Sequence, residues 1–340
     1  MVAQPQGVDP GRLGDARVPL DRLEAQRVLA RDRVVVLGQR EPDAHRCRLR
    51  GAVHTGPVLE CVPNVSEGRD PVVVAALADA CGAALLDRHV DADHHRTVLT
   101  LAGPGPRDAL RAAEALARAV AEHCDLRTHR GVHPRLGALD VVPFVALDEP
   151  TPVAVDAAHA FATWIHRALG VPVFLYDGAA ADGCSLPEVR RDAFVRRPPD
   201  LGGPAAHPRL GAVAVGARAP MVAVNCWLDS DDVALARRVA TVVRARDGGL
   251  PGVRALGLAL PGRARAQVSM NLVDLERTGV EAACTAVRDA VAAAGGRVER
   301  VELVGLLRTV DLERCSAGFR AWAGLDPGCT IESRLAGRDG

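Results

Sequence analysis

The chain reads as an α+β protein, an α/β sandwich of two tandem β-α-β-β-α-β units with a ligand cleft between them. Three observations carry that reading. From residue 58 onward, short apolar strand-like runs alternate with Ala/Leu/Arg stretches of helical period, in an order that occurs twice. Asn64 and Asn225 occupy matching places, each at the end of a first strand and ahead of a first helix. The strands also carry alternating polar residues (Arg96 and Thr100; Gln267, Ser269 and Asn271), which predicts one wet face on each sheet. Two wet faces that meet form a polar-lined cleft, a common place for a ligand.

Taken in order, residues 1–57 stand apart. They are rich in Arg, Asp, Gly and Pro, only 34–37 resembles a strand, and the segment reads as a disordered extension. A strand over 58–62 meets the turn Pro63-Asn-Val-Ser-Glu-Gly68. A helix over 70–81 follows, with Asp70 as its cap and Pro71 in its first turn, where a missing N–H costs nothing. Strands over 83–88 and 96–102, a helix over 107–123 and a strand over 139–147 complete the first ferredoxin-like unit. A helix over 153–169 and a strand over 171–176 extend it, and 177–208 reads as a polar, Pro-rich connection. The second ferredoxin-like unit runs through a strand over 221–228, a helix over 231–246 and strands over 254–260 and 267–273. A helix over 278–294 and a strand over 298–304 close it. The expected domains are therefore 58–217 and 218–326, with 327–340 as a tail.

Composition removes several kinds of function. The 340 residues are 48% hydrophobic, enough for two cores. The 42 basic residues balance 42 acidic ones, which leaves no footprint for nucleic acid or an acidic membrane surface. All 42 basic residues are Arg, so Schiff-base chemistry on Lys, Lys-linked pyridoxal phosphate and a phosphate loop ending in Gly-Lys are excluded. Nine cysteines are scattered without a CxxC pair, the pattern of reduced cytosolic thiols. No apolar run reaches the roughly 18 residues that a membrane span needs. The N-terminus lacks the apolar core of a secretory signal, so the expected location is the cytoplasm.

The chemistry concentrates in 127–144, where His129, His133, Arg127, Arg130 and Arg135 sit on a Gly/Pro-kinked loop that runs into an apolar strand. Its hexapeptide His133-Pro-Arg-Leu-Gly-Ala138 recurs unchanged at His207-Pro-Arg-Leu-Gly-Ala212. The second copy lacks the surrounding Arg and His residues, and His207 reads as a linker or entrance residue. A metal held by His129, His133, Asp91 and Asp93 is conceivable. Gly131 and Pro134, however, disfavour the helix that would put both histidines on one face, and no metal is expected. The run from Asp91 to His95 reads as a solvated turn, and Cys61 as an inert buried thiol.

Several motifs in a fixed order resemble the glutamate formiminotransferase (glutamate formimidoyltransferase) family over about 58–305. They are Glu60-Cys-Val-Pro-Asn64 with Ser66-Glu-Gly68, Leu85-Leu-Asp87, Arg96-Thr-Val98 and Gly131-Val-His-Pro-Arg-Leu-Gly-Ala-Leu-Asp140. Gly211-Ala212 with Val215-Gly-Ala-Arg218, Ala266-Gln-Val-Ser-Met-Asn-Leu272 and Val304-Gly305 continue the series. The resemblance implies transfer of a formimino group from N-formimino-L-glutamate to N5 of tetrahydrofolate, a co-substrate held in the cleft of a homodimeric enzyme of histidine degradation. It maps the catalytic histidine onto His133. An imidazole that titrates near neutrality suits the two proton transfers.

Arg135 is the leading anchor for a substrate or folate carboxylate. Asn64, Asn225, Gln267 and Asn271 supply neutral donors and acceptors for a pterin edge, with Gly137 and His89 also in the expected binding set. His129 and Asp140 are expected to support the site. The chain departs from the family pattern at Val132, where Glu is common, and at Asp87-Arg88-His89 and His95-Arg96-Thr97. Those changes bear on the choice of donor. The alternatives are formyl transfer between glutamate and folate in the same cleft, or a folate-binding protein without catalysis. The expected length leaves no room for a fused cyclodeaminase, so that step is assigned to a separate enzyme.

Overall fold

The computed structural model describes residues 58–105, 107–131, 135–147 and 152–337. The expectation for 1–57 lies outside them, as do Val132, His133 and Pro134. The chain begins with β1 (Leu59–Cys61), β2 (Asn64–Val65), α1 (Pro71–Ala80), β3 (Leu85–Asp91), β4 (Arg96–Ala102), α2 (Asp108–His123) and β5 (Leu139–Ala146). It continues through α3 (Pro152–Leu169), β6 (Val173–Asp177), α4 (Leu186–Asp192) and β7 (Val213–Ala217). The second half holds β8 (Val222–Leu228), α5 (Val233–Val243), β9 (Val253–Leu260), β10 (Arg265–Leu272), α6 (Val280–Ala293) and β11 (Val298–Val304). Three short helices end it, α7 (Thr309–Glu313), α8 (Ala317–Ala323) and α9 (Ile331–Ala336).

Most of these elements form for the reasons visible in the sequence. The Asp70 carboxylate accepts the N–H groups of Val72 and Val73 at 2.9 and 3.3 Å, capping α1 one residue ahead of its proline. Pro63 interrupts the first strand, because it has no N–H for the ladder. β1 and β2 are thus two segments of one line, and both pair with β4 and β5. In the second unit the order is β11-β8-β10-β9, antiparallel throughout. In the first, β3 pairs with β4, which flanks the β1/β2 line, and β5 lies on the other side. The result is a mixed α+β fold with two sheets.

Each sheet buries one face under helices. Leu59, Cys61, Leu99, Leu101, Val142 and Phe144 pack against Leu116, Ala158, Phe161 and Ile165 from α2 and α3. Val224, Cys226, Val268 and Met270 pack against Ala236, Val239, Cys284 and Val287 from α5 and α6. Strand alternation then turns Glu60, Asn64, Arg96, Thr100, Ala223 and Asn271 to the opposite faces, where they line one cavity.

Three parts differ from expectation. Residues 213–217 form β7, which inserts parallel between β5 and β6 and whose five residues are all buried. A strand buried on both faces carries no alternation to detect, which is why 213–217 does not read as one. The connection over 177–208 contains α4, opened by a capping box in which Ser185 and Glu188 bond reciprocally. Residues 327–337 carry α9 rather than a loose tail, since Ile331 is buried with Leu86, Ala102 and Leu306.

The repeated hexapeptides meet. The Ala138 N–H donates to the Leu210 carbonyl at 2.9 Å, and the Ala212 N–H to the Leu136 carbonyl at 3.0 Å, with Gly137 facing Gly211. A Cβ at Gly137 would lie 2.0 Å from the Ala212 carbonyl oxygen, so only glycine permits this approach. His207 closes its own turn, its Nδ1 accepting the N–H groups of Arg209 and Leu210 at 3.2 and 3.0 Å. One copy thereby braces the other.

Candidate functional site

The uncovered faces of the two sheets meet along one side and part along the other. Where they meet, buried polar residues form the seam. Gln267, fully buried on β10, places its Nε2 3.2 Å from Nε2 of His94. Asn225 Nδ2 and Trp227 Nε1 both donate to the Glu302 carboxylate at 2.9 Å, and His89 lies 3.8 Å from that group. Asp93 accepts the Gly262 N–H at 2.7 Å and an Arg263 N–H at 2.6 Å. Burial lowers the pKa of His89 and of His94, so the seam favours neutral imidazoles.

The run from Asp91 to His95 is thus not a solvated turn. Asp91 and His94 are buried, and the Asp91 carboxylate accepts the His94 N–H at 2.8 Å. Burial works against the charge of Asp91. That N–H, with His94 and Arg263 nearby, nonetheless holds its pKa below the ordinary value. His95 adopts a left-handed backbone (φ 51°), which tightens the turn.

Where the sheets part they enclose a cavity of about 900 Å³. Its volume falls within the usual range for small-molecule sites, roughly 300–1,000 Å³. Polar groups reach it from both sheets: Glu60, Asn64, Arg96 and Thr100 from the first, Arg254 and Asn271 from the second. Arg190 of α4 and Arg218 after β7 complete a set of four lining arginines. Arg190 forms a bidentate pair with Asp140, at 2.5 and 3.4 Å. Asp140 is buried and also accepts the Leu136 N–H at 2.6 Å, tying α4 to the loop ahead of β5. Burial lowers the pKa of Arg96, and Asp140 and Asp91 act to sustain its charge. A guanidinium pair turned into an enclosed space suits a carboxylate-bearing ligand.

Glu60 is one of three acidic residues in the lining, with Asp156 and Asp177. It is 6% exposed, and burial pushes its carboxyl pKa up to about 7 against the opposing charge of Arg218. The folded state therefore holds a proton between pH 4.5 and 7 that the unfolded chain has released. Stability from this group is present below about pH 4.5 and is lost as pH rises through 7. Glu60→Gln should flatten that dependence and gain up to about 3 kcal/mol at pH 8. Urea unfolding at pH 5 and 8 reads this directly; equal pH slopes in the two proteins would refute it.

The expected site residues separate into groups. Asn64 and Asn271 line the cavity, and Asn64 also donates to the Val62 carbonyl at 3.1 Å. Asn225, Gln267 and His89 lie in the seam, and Gly137 in the paired hexapeptides. Arg135 donates to the Gly131 carbonyl at 2.8 Å and closes its own loop; it is not among the lining arginines. His129 is buried and stacked on His95 with centroids 4.0 Å apart, and its Nε2 lies 3.0 Å from the His95 carbonyl. His95 Nδ1 accepts the Gly68 N–H at 3.1 Å, and burial beside His129 holds its pKa near 4.

His133 lies outside the described residues, and only the flanks through Gly131 and from Arg135 are placed. At Gly131 an added Cβ would come 2.5 Å from the His94 carbonyl oxygen, so Gly131 packs against the His94–His95 turn. On the other flank, Leu136 is bound to Asp140 and through it to cavity-lining Arg190. Among the described residues no group of three or more His, Cys, Asp or Glu could hold a metal ion. Cys61 is fully buried, and burial raises its thiol pKa well above the ordinary value.

The alternation of polar residues marks Arg96 as lying on a wet sheet face, Arg218 enters only within a motif, and Arg190 and Arg254 were passed over. The last two lie on a short helix inside a stretch read as loop, and at the start of an otherwise apolar strand. Neither position has a local signal.

Comparison with known proteins agrees with this arrangement. Residues 58–218 match the formiminotransferase domain, N-terminal subdomain, and 223–318 match the formiminotransferase domain. The chain is 36% identical over 265 residues to glutamate formimidoyltransferase of Streptococcus pyogenes, covering 73% of this chain and 88% of that one. It is 33% identical over 296 residues to glutamate formimidoyltransferase of Thermoplasma acidophilum, covering 82% and 97%. Formimidoyltransferase-cyclodeaminase of Gallus gallus is 37% identical over 247 residues, 66% of this chain and 45% of the longer protein. With both subdomains matched in order, the chain belongs to the formiminotransferase family.

Proposed function

We propose that this protein transfers the formimino group of N-formimino-L-glutamate to N5 of tetrahydrofolate, yielding 5-formiminotetrahydrofolate and glutamate. The observation that carries the reading is the cavity between two polar sheet faces, with Arg96 and Arg190 in its lining and Arg190 tied through Asp140 to Leu136. Both substrates carry glutamate carboxylates, and a guanidinium fork matches a carboxylate in shape and charge. Arg96 and Arg190 are the anchors in this reading, and Arg135 positions the loop.

In the reaction the N5 lone pair attacks the formimino carbon and a tetrahedral adduct forms. His133 takes the proton from N5 and returns it to the glutamate nitrogen. The bond from carbon to that nitrogen then breaks, and glutamate leaves as an amine. No proton is gained or lost overall, which suits one imidazole working in both directions. Asp140 fixes Arg190 and Leu136, and the stacked His129 and His95 hold the floor under the loop. Domains at 58–217 and 218–326, a homodimer, a cytoplasmic location and the histidine-degradation pathway belong to the same reading.

The test is a direct assay with purified protein and N-formimino-L-glutamate, with and without tetrahydrofolate. Glutamate and 5-formiminotetrahydrofolate should appear together, and only when folate is present. Glutamate release that ignores folate, or none at all, would reject the proposal.

A further inference from the structure

The chain passes from the first sheet to the second between Ala217, at the end of β7, and Val222, at the start of β8. After β11 it returns to the first sheet. Gly305 takes a left-handed backbone (φ 83°), and a Cβ there would lie 3.2 Å from Thr100 Oγ1 of β4. Leu306 then joins an apolar cluster with Leu86 of β3, Ala102 of β4 and Ile331 of α9, all four buried. Val58, Leu147 and Leu335 pack around them. Residues from both ends of the described chain thus share one small core.

The six residues of α9 are too few to persist as a helix alone, so the helix depends on its ties. Thr330 caps it, Oγ1 accepting the Ser333 N–H at 3.3 Å. The Ile331 N–H donates to the Leu307 carbonyl at 2.8 Å, and the Leu307 N–H to the Cys329 carbonyl at 3.0 Å. The Glu332 carboxylate accepts the N–H and the hydroxyl of Thr309 at 2.8 and 2.9 Å. These bonds fasten α9 to the segment after β11. Toward the first sheet the helix presents Ile331 and Leu335. Leu306 also lines the cavity, together with Val304 and Gly305. Whatever holds Leu306 beside Leu86 and Ala102 therefore sets how far apart the two sheets stand at this end.

We infer that α9 is a clasp between the two sheets, that Ile331 is a positioning residue acting through Leu306, and that the clasp releases without unfolding either sheet. Release gives up one small apolar cluster and a few hydrogen bonds, whereas each sheet keeps its own, much larger core. Parts held so unequally open separately. A ligand that touches both walls binds the closed form better and holds the clasp shut. This last step rests on the folate reading, because tetrahydrofolate is the ligand; the clasp itself does not.

Amide hydrogen exchange on the full chain tests the inference, reading Leu307 and residue 331 against Cys226 in β8 and Val268 in β10. The wild type, Ile331→Ala and Val287→Ala, a change in the core of the second sheet, are compared. In the wild type the clasp amides should be about tenfold or more less protected than the strand amides. Ile331→Ala should lower clasp protection by a further tenfold or more, roughly. Val287→Ala should lower strand protection about tenfold and leave the clasp amides within about twofold, since the clasp opens with that core intact. Saturating tetrahydrofolate should raise clasp protection about tenfold. Ile331→Ala should raise KM for tetrahydrofolate severalfold with kcat within about twofold, and Ile331→Val should restore most of the wild-type value. If the alanine form does not fold, Ile331→Val takes its place, with smaller shifts in the same direction.

Clasp amides that follow the strand amides in Val287→Ala would overturn the clasp, because α9 would then open only with the whole fold. Independent opening that bound tetrahydrofolate does not slow would overturn the positioning role of Ile331. If the clasp opens independently and tetrahydrofolate does not bind, the clasp stands and the folate reading falls. Formimino transfer without independent opening gives the reverse.

Discussion

Histidine 133 replaced by alanine should lower kcat for formimino transfer by about 100- to 10,000-fold while the tetrahydrofolate dissociation constant changes by less than about threefold. The magnitude is that of removing one general acid/base. The tetrahedral adduct still forms, but proton removal from N5 and protonation of the leaving nitrogen fall to water. Binding should persist because the four lining arginines, Asn64 and Asn271 are unchanged in this variant. No other imaginable proton carrier on the loop replaces it well, because His129 is turned under the loop, stacked on His95, with burial lowering its pKa. Steady-state rates and equilibrium binding on the same preparation decide the matter. A fall in rate explained entirely by weaker folate binding would remove His133 from the chemistry.

Asp140→Ala should destabilise the fold by about 3–5 kcal/mol, the cost of removing one partner from a buried ion pair. The carboxylate is buried and accepts two N–H donors of Arg190 and the Leu136 N–H. Its loss removes the carboxylate that Arg190 pairs with and one of the charges that offset Arg96. Asp140→Asn keeps an oxygen for one donor and should cost less. Denaturant midpoints for the three proteins test this order; a loss below about 1 kcal/mol in the alanine variant would show that water or other partners compensate. Transfer activity should fall in the same order, because Arg190 and the loop share this anchor.

Much of the fold was legible because two periodicities are stated openly in the chain. The polar alternation in β10, Gln267-Ser269-Asn271, marked the open face of a sheet, and Asp70-Pro71 marked a helix start. β7 was hidden, since a short run buried on both faces looks like any apolar segment. α4 was hidden as well, because seven polar-rich residues between turns carry too little period to stand out. The site divided similarly. Asn271 reaches the cavity on the face that alternation marks, and Asn64 lines it too, whereas Asn225, Gln267 and His89 occupy the seam. Alternation names the face of a sheet that is polar, but not how far the facing sheet stands from each residue.

The chain alone determined the alternation of elements, the two repeated units, the motifs in their order and the absence of any lysine chemistry. These are local properties, written in neighbouring residues and their spacing. Tertiary structure decided that four arginines from separate elements share one cavity, that Asp140 joins α4 to Leu136 ahead of β5, and that the twin hexapeptides pair with each other. It also decided that Glu60 and Thr100, both buried, line that cavity. Those facts depend on the distance between residues far apart in the chain. That distance is set by the packing of whole sheets and helices, and no local pattern encodes it.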